Sequence, residues 1–311
     1  MKYSFTPYVH SVEAFREVER FLGESHANYP HPRNWQIDRW NFTFTVSRTM
    51  HGESVQNWEK RIGLWRDESG RIKAIAHEEE QNGDVFFGFA SPGAEAEEEA
   101  PIGEMFDFAE RECALPRDGS SGFGLRIPQS DNLLADLASQ RGYIKGSWSE
   151  PLSVRPIDFT RSEGPDDEGL EFVSGADVDP AKKAIAHAKA FGYAEKEENR
   201  IPSSIAAFEA LASAPSYRPD LDLGWLAGSG EIVSFVGVWF DPVSRLAILE
   251  PVGTIPAYRR RRLAESLIEE GARRAAALGA TALYVGSDQD FYRRIGFEVV
   301  LRQDVWEYRR K

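Results

Sequence analysis

The feature that most limits how this chain can fold is a long-period repeat. Ser69-Gly70-Arg71-Ile72 returns as Ser229-Gly230-Glu231-Ile232, with the two glycines 160 residues apart. Arg141-Gly142-Tyr143 returns as Ile295-Gly296-Phe297, with the glycines 154 apart. A period this long points to duplication of a whole domain rather than to a solenoid.

Apolar patterning between these landmarks agrees. The first half predicts a strand at Lys2–Phe5, a helix over Ser11–Leu22 and an aromatic-rich segment from Asn34. Strands follow at Ile62–Arg66, Arg71–His77 and Val85–Ala90, the last introduced by Asn82-Gly83, a hairpin pair. A helix over Ile102–Cys113, a strand at Phe123–Ile127 and a short helix over Asp131–Gln140 complete it. The second half predicts a strand at Leu170–Val173, a helix over Pro180–Phe191 and a hairpin of Leu221–Leu226 with Glu231–Phe240. Then come a strand at Arg245–Thr254, a helix over Leu263–Leu278 ended by Gly279, a strand at Ala282–Val285 and a short helix over Asp290–Ile295, before a last strand or two. The expected architecture is an α/β chain made of two copies of one α+β unit, residues 1–160 and 170–311. The acidic, Pro/Gly-punctuated stretch 161–169 links them.

The chemistry concentrates where one strand gives way to its helix, along Leu249-Glu250-Pro251-Val252-Gly253-Thr254-Ile255-Pro256-Ala257-Tyr258-Arg259-Arg260-Arg261-Arg262-Leu263-Ala264. The helix that begins there is amphipathic, with Leu263, Leu267, Gly271 and Leu278 on one face and Ile268 and Ala275 beside it. A strand-to-helix turn leaves backbone N–H groups free at a helix N-terminus, which is an anion site. Four consecutive arginines add positive charge where a diphosphate would sit.

Pro256 to Ala264 resembles, in register, the Pro-x-Tyr-Arg and Arg/Gln-x-x-Gly-x-Gly/Ala turn of GNAT N-acetyltransferases. Arg262 departs from it, standing where the family usually has glycine; a helical backbone angle there is open to arginine. Phe291-Tyr292-Arg293-Arg294-Ile295-Gly296-Phe297-Glu298 resembles the family's second signature. Arrangement and the Glu-Pro-Val-Gly-Thr strand end are similar to the tandem-GNAT bacterial subgroup. The resemblance covers Leu221–Lys311 well, Leu170–Pro219 loosely, and the first half as a diverged repeat.

The resemblance implies two tandem GNAT-like domains, each a mixed, mostly antiparallel sheet flanked by helices, with the second one catalytic. It implies acetyl-CoA as cofactor and direct transfer of an acetyl (acyl) group to a primary amine of a small molecule or peptide. Backbone amides of Arg259, Arg260, Arg261, Arg262, Leu263 and Ala264 would hold the pyrophosphate. Val252, Gly253 and Thr254 would pair with the pantetheine arm, and Ser287 and Asp288 would line the opposite side of the groove.

Amide formation needs a neutral amine and then a proton for the departing thiolate. Tyr292 matches the family acid; a capped core aromatic is its other reading. Glu250 is the base candidate, because its apolar flank Leu246–Leu249 would desolvate it and raise its pKa; a carboxylate that orders the strand end is its other reading. Asp241 and Asp222 are weaker base candidates and read more readily as turn and strand-edge residues. In register with these, the first half has Ala138 for Tyr292, Phe86 for Glu250 and acidic Ala94–Glu99 for the arginines. It is therefore expected not to bind CoA, while Trp35, Trp40 and Trp58 supply core and a wall for the acceptor.

Composition removes other classes. Fifty acidic against 37 basic residues, a net charge of −13, argue against a nucleic-acid partner, and the balance mildly favours cationic amines. No apolar stretch approaches the ~20 residues of a membrane helix, and Met1-Lys2-Tyr3-Ser4-Phe5 does not begin a signal peptide, so a cytoplasmic location is expected. The single cysteine, Cys113, excludes an internal disulfide and reads as a buried small side chain. The six histidines make no metal pattern; His26, His31 and His77 read as surface residues. No sequence signal sets an oligomeric state. The competing class is a non-catalytic acyl-CoA or ligand-binding module that kept the fold, which Arg262 would favour.

Overall fold

The computed structural model describes residues 3–29, 31–33, 35–79, 83–91, 101–117, 120–157, 169–193 and 201–310. Two compact units divide the chain: residues 1–152 with 299–311, and residues 153–298. The expected boundary near 160 therefore moves to 152, and the last strand leaves the second domain for the first. The linker 161–168 and the acidic stretch 94–99 lie outside the described residues.

Unit 1 opens with β1 (Ser4–Pro7) and α1 (Val12–His26), whose N-cap Ser11 accepts from the Ala14 amide at 3.0 Å. The aromatic segment forms short helices α2 (Ile37–Phe42), α3 (Arg48–His51) and α4 (Val55–Trp58). Strands β2 (Ile62–Arg66), β3 (Ile72–Glu78) and β4 (Asp84–Phe89) follow. Next come α5 (Ile102–Phe108), continued by a π-helical turn to Cys113, then β5 (Leu115–Arg117), β6 (Ser120–Pro128), α6 (Asn132–Gln140) and β7 (Ile144–Pro156).

Unit 2 has β8 (Leu170–Ser174), α7 (Pro180–Phe191), α8 (Ile201–Leu211), β9 (Asp222–Ala227), β10 (Ile232–Asp241) and β11 (Leu246–Thr254). It continues through α9 (Leu263–Ala277), β12 (Ala282–Val285) and α10 (Asp290–Arg294) before β13 (Glu298–Arg309).

The strand order in unit 1 is β1-β2-β3-β4-β6-β13-β7, with β5 paired to β6. In unit 2 the end of β7 leads the order β7-β12-β11-β10-β9-β8. Both sheets contain one parallel pair among antiparallel ones: β4 with β6, and β11 with β12. In both, the second strand of that pair is bordered by an antiparallel strand: β13 on β6 and Ser153–Pro156 of β7 on β12. Those two edge positions ask for the same ladder. Patterning can predict the strands that fill them, but not which strand enters which sheet.

Each sheet is covered on both faces, so its central strands are buried nearly throughout. Alternation sends Ile62, Leu64, Ile75 and Phe86 to one core of unit 1, and Trp65, Ala74, Ala76, Val85 and Phe87 to the other. Trp35, Trp40 and Trp58 are at most 2% exposed and belong to the first of these cores, not to a pocket wall. In unit 2, α9 lays Leu267, Ile268, Ala272 and Ala275 on Val236, Val238 and Leu249. Leu278 is not on that face; it follows the helix end and is exposed.

Contrary to expectation, His26 and His77 are buried. Cys113 is buried as expected, its thiol donating toward the Arg61 carbonyl at 3.7 Å, and burial pushes its pKa up. Among the described residues, no helix is long and apolar enough to cross a membrane, and no group of His, Cys, Asp and Glu could hold a metal ion.

Candidate functional site

The site is built on β10 and β11. Their antiparallel register runs from Asp241↔Leu246 to Val238↔Leu249 and resumes at Val236↔Val252. One residue of β10, Gly237, therefore faces two of β11, Glu250 and Pro251, which is a β-bulge. Glycine is required there by close approach, because a Cβ on Gly237 would lie 2.5 Å from the Glu250 carbonyl oxygen. The Glu250–Pro251 peptide is cis, and the Trp239 indole N–H donates to the Glu250 carbonyl at 3.0 Å. Alternation puts Ala247 and Leu249 in the core and Glu250 on the opposite face, where it emerges exposed at the end of a buried run, and the bulge brings Val252 back to the core side. The desolvated carboxylate expected from its apolar flank is not what forms.

Beyond the bulge the sheet opens. Pairing of β11 with β12 covers Leu246↔Ala282 to Ile248↔Tyr284, whereas β11 continues to Thr254. Val252, Gly253 and Thr254 thus lie past the paired section and are partly exposed, as a splayed strand requires. Gly253 is packed against the Phe235 ring, where a Cβ would sit 2.3 Å from Cζ. The Thr254 and Ser234 hydroxyls share a hydrogen bond of 2.9 Å.

The chain then makes a single 3-10 turn (Pro256–Tyr258) and enters α9 at Leu263. Arg260 and Arg262 both have left-handed backbone angles, φ 65° and 58°. The expectation that Arg262 takes a helical angle is corrected: the site calls for the conformation that glycine adopts most readily. Arg262 is the N-cap of α9 and makes no side-chain cap bond, so the amides at Leu263 and Ala264 face outward at the positive end of a fifteen-residue helix. Arg259 serves as a brace, donating to the Thr254 carbonyl at 3.2 Å and the Ala190 carbonyl at 2.7 Å. Arg261 lies over the Tyr258 ring at 4.8 Å, and Arg262 reaches Glu265 at 3.4 Å.

Tyr292, on α10, is 8% exposed and packs in the same core as Leu249. Burial, and then the charge of Glu250, push its phenol up, so the two predicted catalytic groups lie within electrostatic reach of each other. Ser287 and Asp288 follow β12, both half-buried. The Ser287 carbonyl accepts from the Ser153 hydroxyl at 2.6 Å, and Asp288 stands 3.8 Å from Arg293.

A small cleft opens beside Glu250. Besides Glu250 and Pro251, its lining includes Lys183, Tyr217, Asp222 and Trp239. Asp222, read from sequence as a strand-edge residue, is buried there. One of its oxygens binds the buried Lys183 ammonium, and the other accepts from the Tyr217 hydroxyl at 2.6 Å. Burial and Asp222 push the Tyr217 phenol up. Sequence reasoning missed Lys183, Tyr217 and Trp239. One signal was available: Lys183 falls among Ala184, Ala186 and Ala188 on the buried face of α7, where a lysine requires a partner. Asp241 is the expected turn residue, accepting from the Val243 amide at 2.9 Å.

Comparison with known proteins places these features. Residues 188–297 match the acetyltransferase (GNAT) family. A tandem GNAT protein from the clavulanic acid biosynthesis pathway superposes with a TM-score of 0.62 at 13% identity, covering 99% of this chain and 98% of that one. A GCN5-related N-acetyltransferase from Sphaerobacter thermophilus gives 0.58 at 15% identity, covering 99% and 95%. A Drosophila protein gives 0.54 at 17% identity, covering 97% of each chain. A sequence search of curated proteins finds no match.

Proposed function

We propose that unit 2 transfers an acetyl group from acetyl-CoA to a primary amine, a reading supported by the match of residues 188–297 to the acetyltransferase (GNAT) family and by the likeness in fold of the whole chain to a tandem GNAT structure. One observation carries the reading. Glu250, exposed beside the bulge, and the buried Tyr292 phenol lie within electrostatic reach, on the unit whose β11 splays from β12 and runs into an uncapped helix N-terminus.

These residues suit a diphosphate-bearing thioester. The outward amides at Leu263 and Ala264, with the charge of Arg260 and Arg261, would take the phosphates. The unpaired edge of Val252 to Thr254 would accept an extended amide-bearing arm as an added strand. When bound, acetyl-CoA supplies the thioester carbonyl that a neutral amine attacks. Glu250, exposed beside the cleft, takes the proton that the amine must lose. Tyr292 holds its proton throughout the neutral range, because both causes of its shift favour the neutral phenol, and so keeps it available for a departing thiolate.

The competing reading, an acyl-CoA-binding module without turnover, is favoured by left-handed arginine at positions 260 and 262, where strain opposes close approach to phosphates. Titrating acetyl-CoA and then measuring CoA release with an amine panel separates the two. Saturable binding with amine-dependent release supports the transferase. Binding without release for every amine supports the module, and absence of binding overturns both.

A further inference from the structure

Taking the transferase reading as given, with Tyr292 as its proton donor, we propose that Ser153 and Arg155 are positioning residues that fix the Tyr292 helix against the cofactor helix. α10 has five residues, and isolated helices shorter than ~12–15 residues are marginal in water, so what holds it lies outside it. Strand β7 supplies a bond at each end. Its pairing with β12 sets Ser153 opposite Val285 and Arg155 opposite Leu283, two residues apart and so on one face of the strand. The Ser153 hydroxyl donates to the Ser287 carbonyl at 2.6 Å, shortly before α10. The Arg155 guanidinium donates to the Ile295 carbonyl at 3.1 Å, at the C-cap of α10. Tyr292 sits between these two bonds.

Arg155 reaches further. Its two terminal nitrogens bind both oxygens of Glu269 on α9, at 2.6 and 3.1 Å, and its guanidinium lies over the Phe297 ring at 5.3 Å. Glu269 belongs to the helix whose N-terminus faces the diphosphate site. One planar fork thus joins the element that would grip the cofactor to the element that carries the proton donor. Such a fork fixes direction as well as distance, which an ammonium does not. Arg155 is 5% exposed and Ser153 2%, so water does not compete for these bonds. A catalytic group misplaced by about 1 Å loses on the order of 100-fold in rate, and that is the error the two bonds suppress.

The test uses the full chain and two measurements. Hydrogen exchange reads the clamp without turnover. In Arg155→Lys the amides of Tyr292, Gly296 and Phe297, which close the turns around α10, should exchange at least about tenfold faster, while those of β10 and β11 keep their rates. CoA release reads the consequence, with the fastest amine among 2-phenylethylamine, butylamine, spermidine and kanamycin. Arg155→Lys should lower kcat about tenfold, with acetyl-CoA Kd and amine KM within about twofold. In a Tyr292→Phe background the same change should cost less than about twofold, because misplacement matters only where the donor is present. Ser153→Ala removes a single hydroxyl; it should show the same pattern at about threefold and replaces Arg155→Lys where that variant does not fold. Unchanged exchange, acceleration spread through the whole of unit 2, or equal kcat losses in the two backgrounds overturns the positioning role alone. Bound acetyl-CoA with no release by the unaltered chain from any of the four amines overturns the transferase reading, and the positioning role with it.

Discussion

Where unit 2 sets Glu250 at the mouth of a cleft, unit 1 sets Phe86 in the middle of a ring stack. Phe86 is 5% exposed, lies 5.7 Å from His77 at an interplanar angle of 13°, and has Trp35 at 5.6 Å. Arg39 and Arg126 lie over it and are held by Glu79 and Asp84, at 3.1 and 2.6 Å. Burial drives His77 well below the usual imidazole range, so a neutral ring fills the space. The ladders differ as well. Strands β3 and β4 stay in register from Ala74↔Phe89 to Glu78↔Val85, whereas β10 and β11 slip at Gly237. Alternation turns Phe86 away from Val85 and Phe87, and Glu250 away from Leu249; rings cover Phe86 there, whereas Glu250 is exposed. One framework is packed shut by rings in one copy and left open at the matching position in the other.

The largest expected effect tests the cofactor half of this contrast. Arg260→Glu combined with Arg261→Glu, leaving the brace Arg259 in place, should weaken acetyl-CoA binding more than 100-fold by calorimetric titration. Unchanged affinity would mean that the site lies elsewhere in the chain. Next, Phe86→Ala should cost about 3–5 kcal/mol in denaturant unfolding, the range for a buried aromatic. Its counterpart Glu250→Gln should stay within about 0.5 kcal/mol while turnover falls about 100-fold. A large stability loss for Glu250→Gln would instead make that carboxylate an organiser of the strand end.

Tyr292→Phe should lower kcat about tenfold to 100-fold and leave acetyl-CoA Kd within twofold. Equal loss of both would make Tyr292 a core aromatic like its neighbours. The smallest effect belongs to Arg262→Gly, which relieves a left-handed residue. Thermal unfolding should show a gain of about 1 kcal/mol, with acetyl-CoA bound a few times more tightly. A loss of affinity would mean that the Arg262 side chain itself contributes to the anion site.

Much of this was legible in advance because it is local. The paired turns at Gly70 and Gly230 share left-handed angles, φ 82° and 80°, as do the helix ends at Gly142 and Gly296, 84° and 95°. Gly-x-Ile and Gly-aromatic sequences announce such turns because few residues besides glycine reach those angles easily. The counterpart of Tyr292 is likewise where the repeat puts it: Ala138 lies buried on α6. The helix α8 was missed because Ile201–Leu211 is apolar without a sharp face. The burial of His77 was missed because the ring it packs against most closely, Trp35, comes from a distant segment.

By itself, the sequence determined the kinds of element, their order and the duplication, together with the strand-turn-helix that could grip a diphosphate. These depend on residues a few positions apart, where periodicity and backbone preference act. Only the tertiary structure decided that β13 belongs to the first unit, that Arg262 is left-handed, that β11 bulges opposite Gly237, and that Lys183, Tyr217 and Asp222 share one cleft. Each of those depends on pairing or packing between segments far apart in the chain. Such contacts compete with one another in the folded state, and no local pattern records which of them wins.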